Sequence, residues 1–176
     1  MTKIINLKSY RTIALQKKIF GPWQKRFGET YGLKTRLSDI SNHVLYYLAQ
    51  PGETSSLAYY ELIMGVLDFE TASNFDYLSN ENKMAVVDIH LFLADQVRFE
   101  MMWRLGWINA FEARKFALIE LVQHVKNIKK KCRENPPELA EPNPDYHAYT
   151  QLTPGDKEVF IRRMLQKALE AFTERI

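Results

Sequence analysis

The chain has 176 residues, with 24 Lys/Arg against 21 Asp/Glu, 46% hydrophobic residues, seven glycines and a single cysteine. This length suits one domain with a real core. The apolar content excludes wholesale disorder, and the lone cysteine excludes an internal disulfide framework. There is no run of 18 apolar residues, so a spanning helix is not expected. The first twenty residues lack a compact apolar stretch followed by small residues, so no secretory leader is expected either. A reducing cytoplasmic setting with no membrane partner follows as the expectation.

Charge is unevenly spread. Residues 1–36 hold nine Lys/Arg and one acid, Glu29, while residues 37–125 hold five basic and twelve acidic residues. The basic N-terminal arm also carries Ile4, Ile5, Ile13, Ile19, Phe20 and Trp23, which a solvated tail would not need. It is therefore expected to fold back on the acidic body, with attraction of an external polyanion as the other reading.

Helical spacing runs through the chain and no strand is convincing, so the fold class is all-α: a single-domain bundle of five to six helices around a central apolar helix. The first helix is read from Asn6 to Phe20, stopped by Gly21-Pro22. The second runs from a Ser38 cap to Ala49. The third runs from a Thr54/Ser55 cap to about Glu70 and is apolar nearly all round, as a buried helix is. A helix-turn-helix reading of Ser38–Glu70 fails, because its second helix holds Glu61, Asp68 and Glu70 and no cation to meet phosphate.

The fourth helix, from near Ser79 to about Leu105, is the central one. Sixteen of the twenty-four residues from Met84 to Trp107 are apolar, and no side is purely polar. Asn109 with Glu112 reads as a capped start for a fifth helix continuing to Arg133. Residues 135–155 contain five of the seven prolines, so helix is not expected there. The last helix, 156–176, has the clearest signature: a Thr153 cap, Pro154 at the first position, and an apolar stripe from Ile161 to Ile176.

Strong catalytic signals are absent. Neither glycine-rich phosphate cradle occurs, nor H-E-x-x-H, C-x-x-C or G-x-S-x-G. No metal or cofactor is expected, and the chain leans away from an enzyme.

Three constellations remain. His90, Arg98, Glu100 and Arg104, with Gln96, are polar groups on the apolar central helix. They either form internal ion pairs or wall a polar pocket. Glu61 and Asp68 on the third helix, and Asp88 and Asp95 on the fourth, are seven residues apart. They would form a carboxylate cluster if the two stripes faced each other. Lys126, Lys129, Lys130, Lys131 and Arg133 crowd the end of the fifth helix, where the macrodipole favours cations and a polyanion could also dock. Cys132 lies among them as a bystander thiol.

The leading expectation is a cytoplasmic interaction or regulatory protein that self-associates as a homo-oligomer, a second copy covering the C-terminal stripe. The alternative is a small-molecule-binding protein or enzyme with a pocket along the central helix. Nucleic-acid binding through the basic arm ranks third.

Overall fold

A computed structural model describes residues 7–69 and 74–176. Ile4, Ile5, Asn6 and Glu70, named in the sequence analysis, lie outside the described residues. Eight α-helices and four 3-10 turns make up the described chain, with no strand among them. Two isolated bridges, Arg36 with Ala117 and Ile108 with Leu139, tie loops together. The fold is all-α.

Helix α1 spans Leu7–Phe27 and runs straight through Gly21-Pro22. The sequence reading ended it at Phe20. Pro22 has no N–H for the Lys18 carbonyl, a cost of about 3 kcal/mol. Continuing the helix places Trp23 in the core beside Ile19 and Phe20, all at most 2% exposed. Burying each such side chain contributes roughly 2–3 kcal/mol, which outweighs the proline. The Trp23 indole N–H donates to the Ala58 carbonyl at 2.7 Å.

The second half of the basic arm thus folds back on the body, against α3 (Glu53–Leu67). Gly65 permits that approach: a Cβ there would sit 3.1 Å from the Cα of Ile19. Lys18 pairs with Asp68 at 2.9 Å, and Arg26 pairs with Glu61. Helix α3 stops at Leu67 with Asp68 left-handed, short of the Glu70 expected from sequence.

Helix α2 spans Asn42–Ala49, shorter than the Ser38 start implied. Ser41 is its cap, and Leu37–Asp39 is a separate 3-10 turn. Helix α4, Asn80–Arg104, matches its sequence reading because its local signals agree. The Ser79 hydroxyl accepts from the Asn82 amide at 3.2 Å. Gly106, at φ 75°, closes the other end. The Gly106 and Trp107 amides return to the Trp103 and Met102 carbonyls at 2.9 and 2.8 Å, the paired bonds of a Schellman motif.

The continuous fifth helix does not form. A 3-10 turn, Glu112–Lys115, is followed by α5 (Leu118–Gln123) and α6 (Val125–Glu134), with a break at His124. Chain pairing interrupts it: the Leu118 amide donates to the Thr35 carbonyl at 2.8 Å. Asn109 caps no helix, and its amide goes instead to the Glu138 carbonyl. The proline-rich segment contains one short helix, α7 (Tyr146–Thr150), where proline is absent.

Helix α8, Pro154–Phe172, begins as read, the Thr153 hydroxyl accepting from the Asp156 amide. Its stripe packs on α4 and α2 of the same chain. Ile161, Met164, Leu165, Ala168, Leu169 and Phe172 are all under 10% exposed, and only Ile176 is left out, at 46%. The expectation that a second copy covers this stripe is therefore corrected: the chain's own core does so.

Candidate functional site

The polar residues of the central helix separate into distinct places. Glu100 is fully buried. Its two carboxylate oxygens accept from Arg104 Nε at 3.0 Å and Arg114 Nε at 2.9 Å. The other Arg104 nitrogens donate to Asn42 Oδ1 and to the Leu37 and Ile40 carbonyls, at 2.8, 3.0 and 2.6 Å. Arg114 also lies 3.5 Å over the Trp103 ring. Each Glu100 oxygen and each guanidinium nitrogen of Arg104 is engaged by protein. The cluster ties α4 to residues 36–42 and to the turn at 112–115, and uses both oxygens of Glu100 and all three nitrogens of Arg104 in doing so. Arg114 arrives from a non-helical turn, so no helical spacing could have paired it with Glu100.

His90 and Arg98 lie apart from this cluster. His90 sits against Tyr59 and Tyr60, with ring centroids at 4.8 and 5.3 Å. Burial, and then the positive charge of Arg98, push its pKa down. Tyr59 is buried, and its hydroxyl donates to the Leu48 carbonyl at 2.7 Å. Desolvation raises that hydroxyl's pKa. Arg98 reaches Asp95 at 3.8 Å and the Ala49 carbonyl at 3.5 Å.

The four carboxylates do not meet. Glu61 and Asp68 face α1, paired with Arg26 and Lys18 as described above, while Asp88 and Asp95 face another side of α4. No group of three or more His, Cys, Asp or Glu side chains among the described residues could hold a metal.

Asp88 and Asp95 belong instead to a half-open cleft of about 650 Å³. Its α4 wall is Asp88, Leu91, Phe92, Asp95, Gln96 and Phe99, the i, +3, +4, +7, +8 and +11 positions of one helix face. Helix α6 contributes Lys129, Cys132 and Arg133, the chain between α6 and α7 contributes Pro136 and Pro137, and α8 contributes Lys157, Ile161 and Arg162. Phe111 and Tyr149 complete the apolar lining. Of the C-terminal basic cluster, Lys129 and Arg133 line this cleft. Lys131 lies over the Phe116 ring, and Lys130 approaches Glu134 at 4.0 Å.

The electrostatics of the cleft are balanced. Arg162 reaches Asp95 at 3.4 Å, Lys129 lies 5.7 Å from the Phe92 ring centroid, and Lys157 lies 5.0 Å from that of Tyr149. Burial raises the Cys132 thiol, Glu112 adds to this, and a backbone bond to Ala113 opposes it. A thiol held protonated is a poor nucleophile. None of His90, Arg98, Glu100 or Arg104 lines the cleft; it lies on the central helix, but on a different face.

In the sequence Gln96 is one polar group among several on the central helix. Its signal was the spacing Asp88, Phe92, Asp95, Gln96, Phe99, a mixed polar and aromatic face on a helix otherwise committed to the core. The opposing wall comes from segments 30–70 residues away, which no local pattern specifies.

Comparison with family models, curated proteins and solved structures yields no match.

Proposed function

We propose that the protein acts by binding a small molecule in the cleft between α4, α6 and α8. The observation that carries this reading is the cleft itself: its volume falls in the range of ligand sites, about 300–1,000 Å³, and an apolar floor that includes Phe92, Phe99, Phe111 and Tyr149 is ringed by nine charged side chains. The reading also draws on the closed Glu100 cluster, which assigns the buried charges of the central helix to holding the fold, leaving the cleft as the place for recognition. A cytoplasmic setting belongs to the proposal, supported by the single, half-buried thiol. No helix among the described residues is long and apolar enough to cross a membrane.

The test uses Leu91→Trp. Leu91 is 58% exposed on the cleft wall, so a larger side chain fills the cleft without entering the core. Compounds from a small-molecule library that raise the melting temperature of the wild type should fail to do so in this variant. A library that raises neither, or both equally, would remove the proposal.

A second reading, an interaction protein that self-associates, is supported by the first turns of α1. Leu7, Tyr10, Ile13 and Leu15 are 44–68% exposed there, among the cations Lys8, Arg11 and Lys17. These side chains, rather than the C-terminal stripe, are the surface on which a second copy or an acidic partner would dock. Nucleic-acid binding would use the same cations. Sedimentation at tens of micromolar, with and without Tyr10→Glu, tests the first of these: a wild-type dimer that Tyr10→Glu dissociates supports it, and a wild-type monomer removes it.

A further inference from the structure

We infer that the cleft is built to take a ring-containing molecule that carries no net charge and presents a donor and an acceptor side by side, as a carboxamide, a lactam or an amino-substituted nitrogen heterocycle does. The inference rests on the proposed function, since it names the ligand class of the same cleft.

Gln96 carries the argument. It is 6% exposed, on the α4 wall of the cleft. No described residue hydrogen-bonds its carboxamide, although buried polar groups in folded proteins are nearly always bonded. The side-chain atoms both sealed and unpartnered among the described residues are Gln50 Nε2 and Glu61 Oε2, so the Gln96 carboxamide is not sealed away. It faces the cleft, and what satisfies it is what occupies the cleft. A carboxamide offers one carbonyl acceptor and an NH₂ donor side by side. The groups that answer both side by side, at neutral pH and without a charge, are another amide and the amino-nitrogen edge of a heterocycle.

The surroundings exclude the nearest competitors. A carboxylate ligand would answer the Gln96 donor and leave its carbonyl facing an anion. A ketone or ester would likewise leave the Gln96 carbonyl without a donor, and a buried group left unpaired is costly. The ring requirement comes from Phe92, Phe99, Phe111 and Tyr149, whose side chains line the same space. The absence of net charge follows from the balance of the lining. The cations Lys129, Arg133, Lys157 and Arg162 are set against the anions Asp88, Asp95, Glu112, Glu138 and Glu158. Arg162 and Asp95 already satisfy each other, and Glu112 holds Lys115 at 2.8 Å.

The probes are benzamide, acetophenone and benzoate, titrated into the full-length protein and followed by NMR at the Gln96 side-chain NH₂ and the α4 amides. Acetophenone keeps the ring and the carbonyl and lacks the donor; benzoate keeps the ring and carries a charge. Benzamide should bind about tenfold or more tighter than either, a discrimination within reach of a site built to hydrogen-bond both edges. In Gln96→Met, which keeps the size of the side chain and removes its amide, the preference should vanish while acetophenone binds as in the wild type. Gln96→Met should melt no lower than the wild type, because no protein hydrogen bond is lost. If all three probes bind the wild type equally, or the preference survives in Gln96→Met, the inference is overturned and the cleft remains a binding site. If Gln96→Met melts well below the wild type, Gln96 is a structural group and the inference is likewise overturned. If none binds at millimolar concentration and no library compound is blocked by Leu91→Trp, the binding reading itself falls.

Discussion

Replacing Glu100 with alanine removes the one anion from a cluster that holds two guanidinium groups in a nearly closed place. Glu100 is fully buried, while the Arg104 and Arg114 side chains are 16% and 28% exposed. Breaking a buried ion pair by deleting one partner costs about 3–5 kcal/mol, because the survivor loses its compensation. Here the survivors are partly provided for: Arg104 keeps three acceptors and Arg114 keeps the Trp103 ring. Glu100→Ala should therefore fall at the low end, about 3 kcal/mol. Arg104→Ala should cost more, about 4 kcal/mol, because it also orphans the Ile40 carbonyl, while the Leu37 carbonyl keeps the Ile40 amide. Arg114→Ala should cost least, about 2 kcal/mol, since Glu100 keeps Arg104. The double variant Glu100→Ala/Arg104→Ala should cost less than the sum of the two by at least about 1 kcal/mol, as coupled groups do. Urea denaturation at unchanged slope measures all four. A loss below about 0.5 kcal/mol for Glu100→Ala, the range of a surface pair, would refute the reasoning. So would an Arg114→Ala variant less stable than Arg104→Ala.

Other outcomes follow from the same geometry. Because His90 is held below its ordinary value of 6.5, the unfolded chain takes up that proton first as pH falls. The stability attached to neutral His90 is thus present above pH 6.5 and is lost below it; His90→Asn should flatten the decline in urea midpoint between pH 7 and 5, and an unchanged decline would count against the assignment. Leu165→Glu with Leu169→Glu should unfold the protein, since both leucines are under 10% exposed within their own chain; a folded product by circular dichroism would contradict the packing. Pro22→Ala should stabilise by about 2 kcal/mol or slightly more, the helical gain of about 3 less the added freedom of the unfolded chain; thermal melts check it, and an unchanged or lower midpoint would show that α1 is interrupted at that point.

Helices with agreeing local signals were legible from the sequence. Ser79 and Thr153 cap, Pro154 opens and Gly106 closes, so α4 has the bounds its residues indicate and α8 begins where they indicate, although it gives way to a 3-10 turn after Phe172 instead of running to Ile176. Where long-range packing decides, local rules failed. Gly21-Pro22 reads as a stop, yet the burial of Trp23 carries α1 through it. Ala110 to Arg133 reads as one helix, yet the contact of Leu118 with Thr35 parts the turn at 112–115 from α5, and a further break at His124 parts α5 from α6. The site divides in the same way. Glu100 with Arg104 is an i, i+4 pair visible in the sequence, whereas Arg114 joins them only through a turn. Gln96 was visible as a polar residue on an apolar helix. That it faces a cleft depends on where α6, the proline-rich segment and α8 cross α4, which is a property of the whole chain.

The account stands most directly on where a bound molecule touches the protein. The measurement is amide chemical-shift mapping of the full chain with the library compound that most raises its melting temperature. The account predicts perturbations on α4 residues 88–99, on α6 and the following chain at 129–138, and on α8 residues 157–162, with the Gln96 side-chain NH₂ among the largest. Perturbations gathered on α1 residues 7–18, or around Glu100, Arg104 and Arg114, would contradict it.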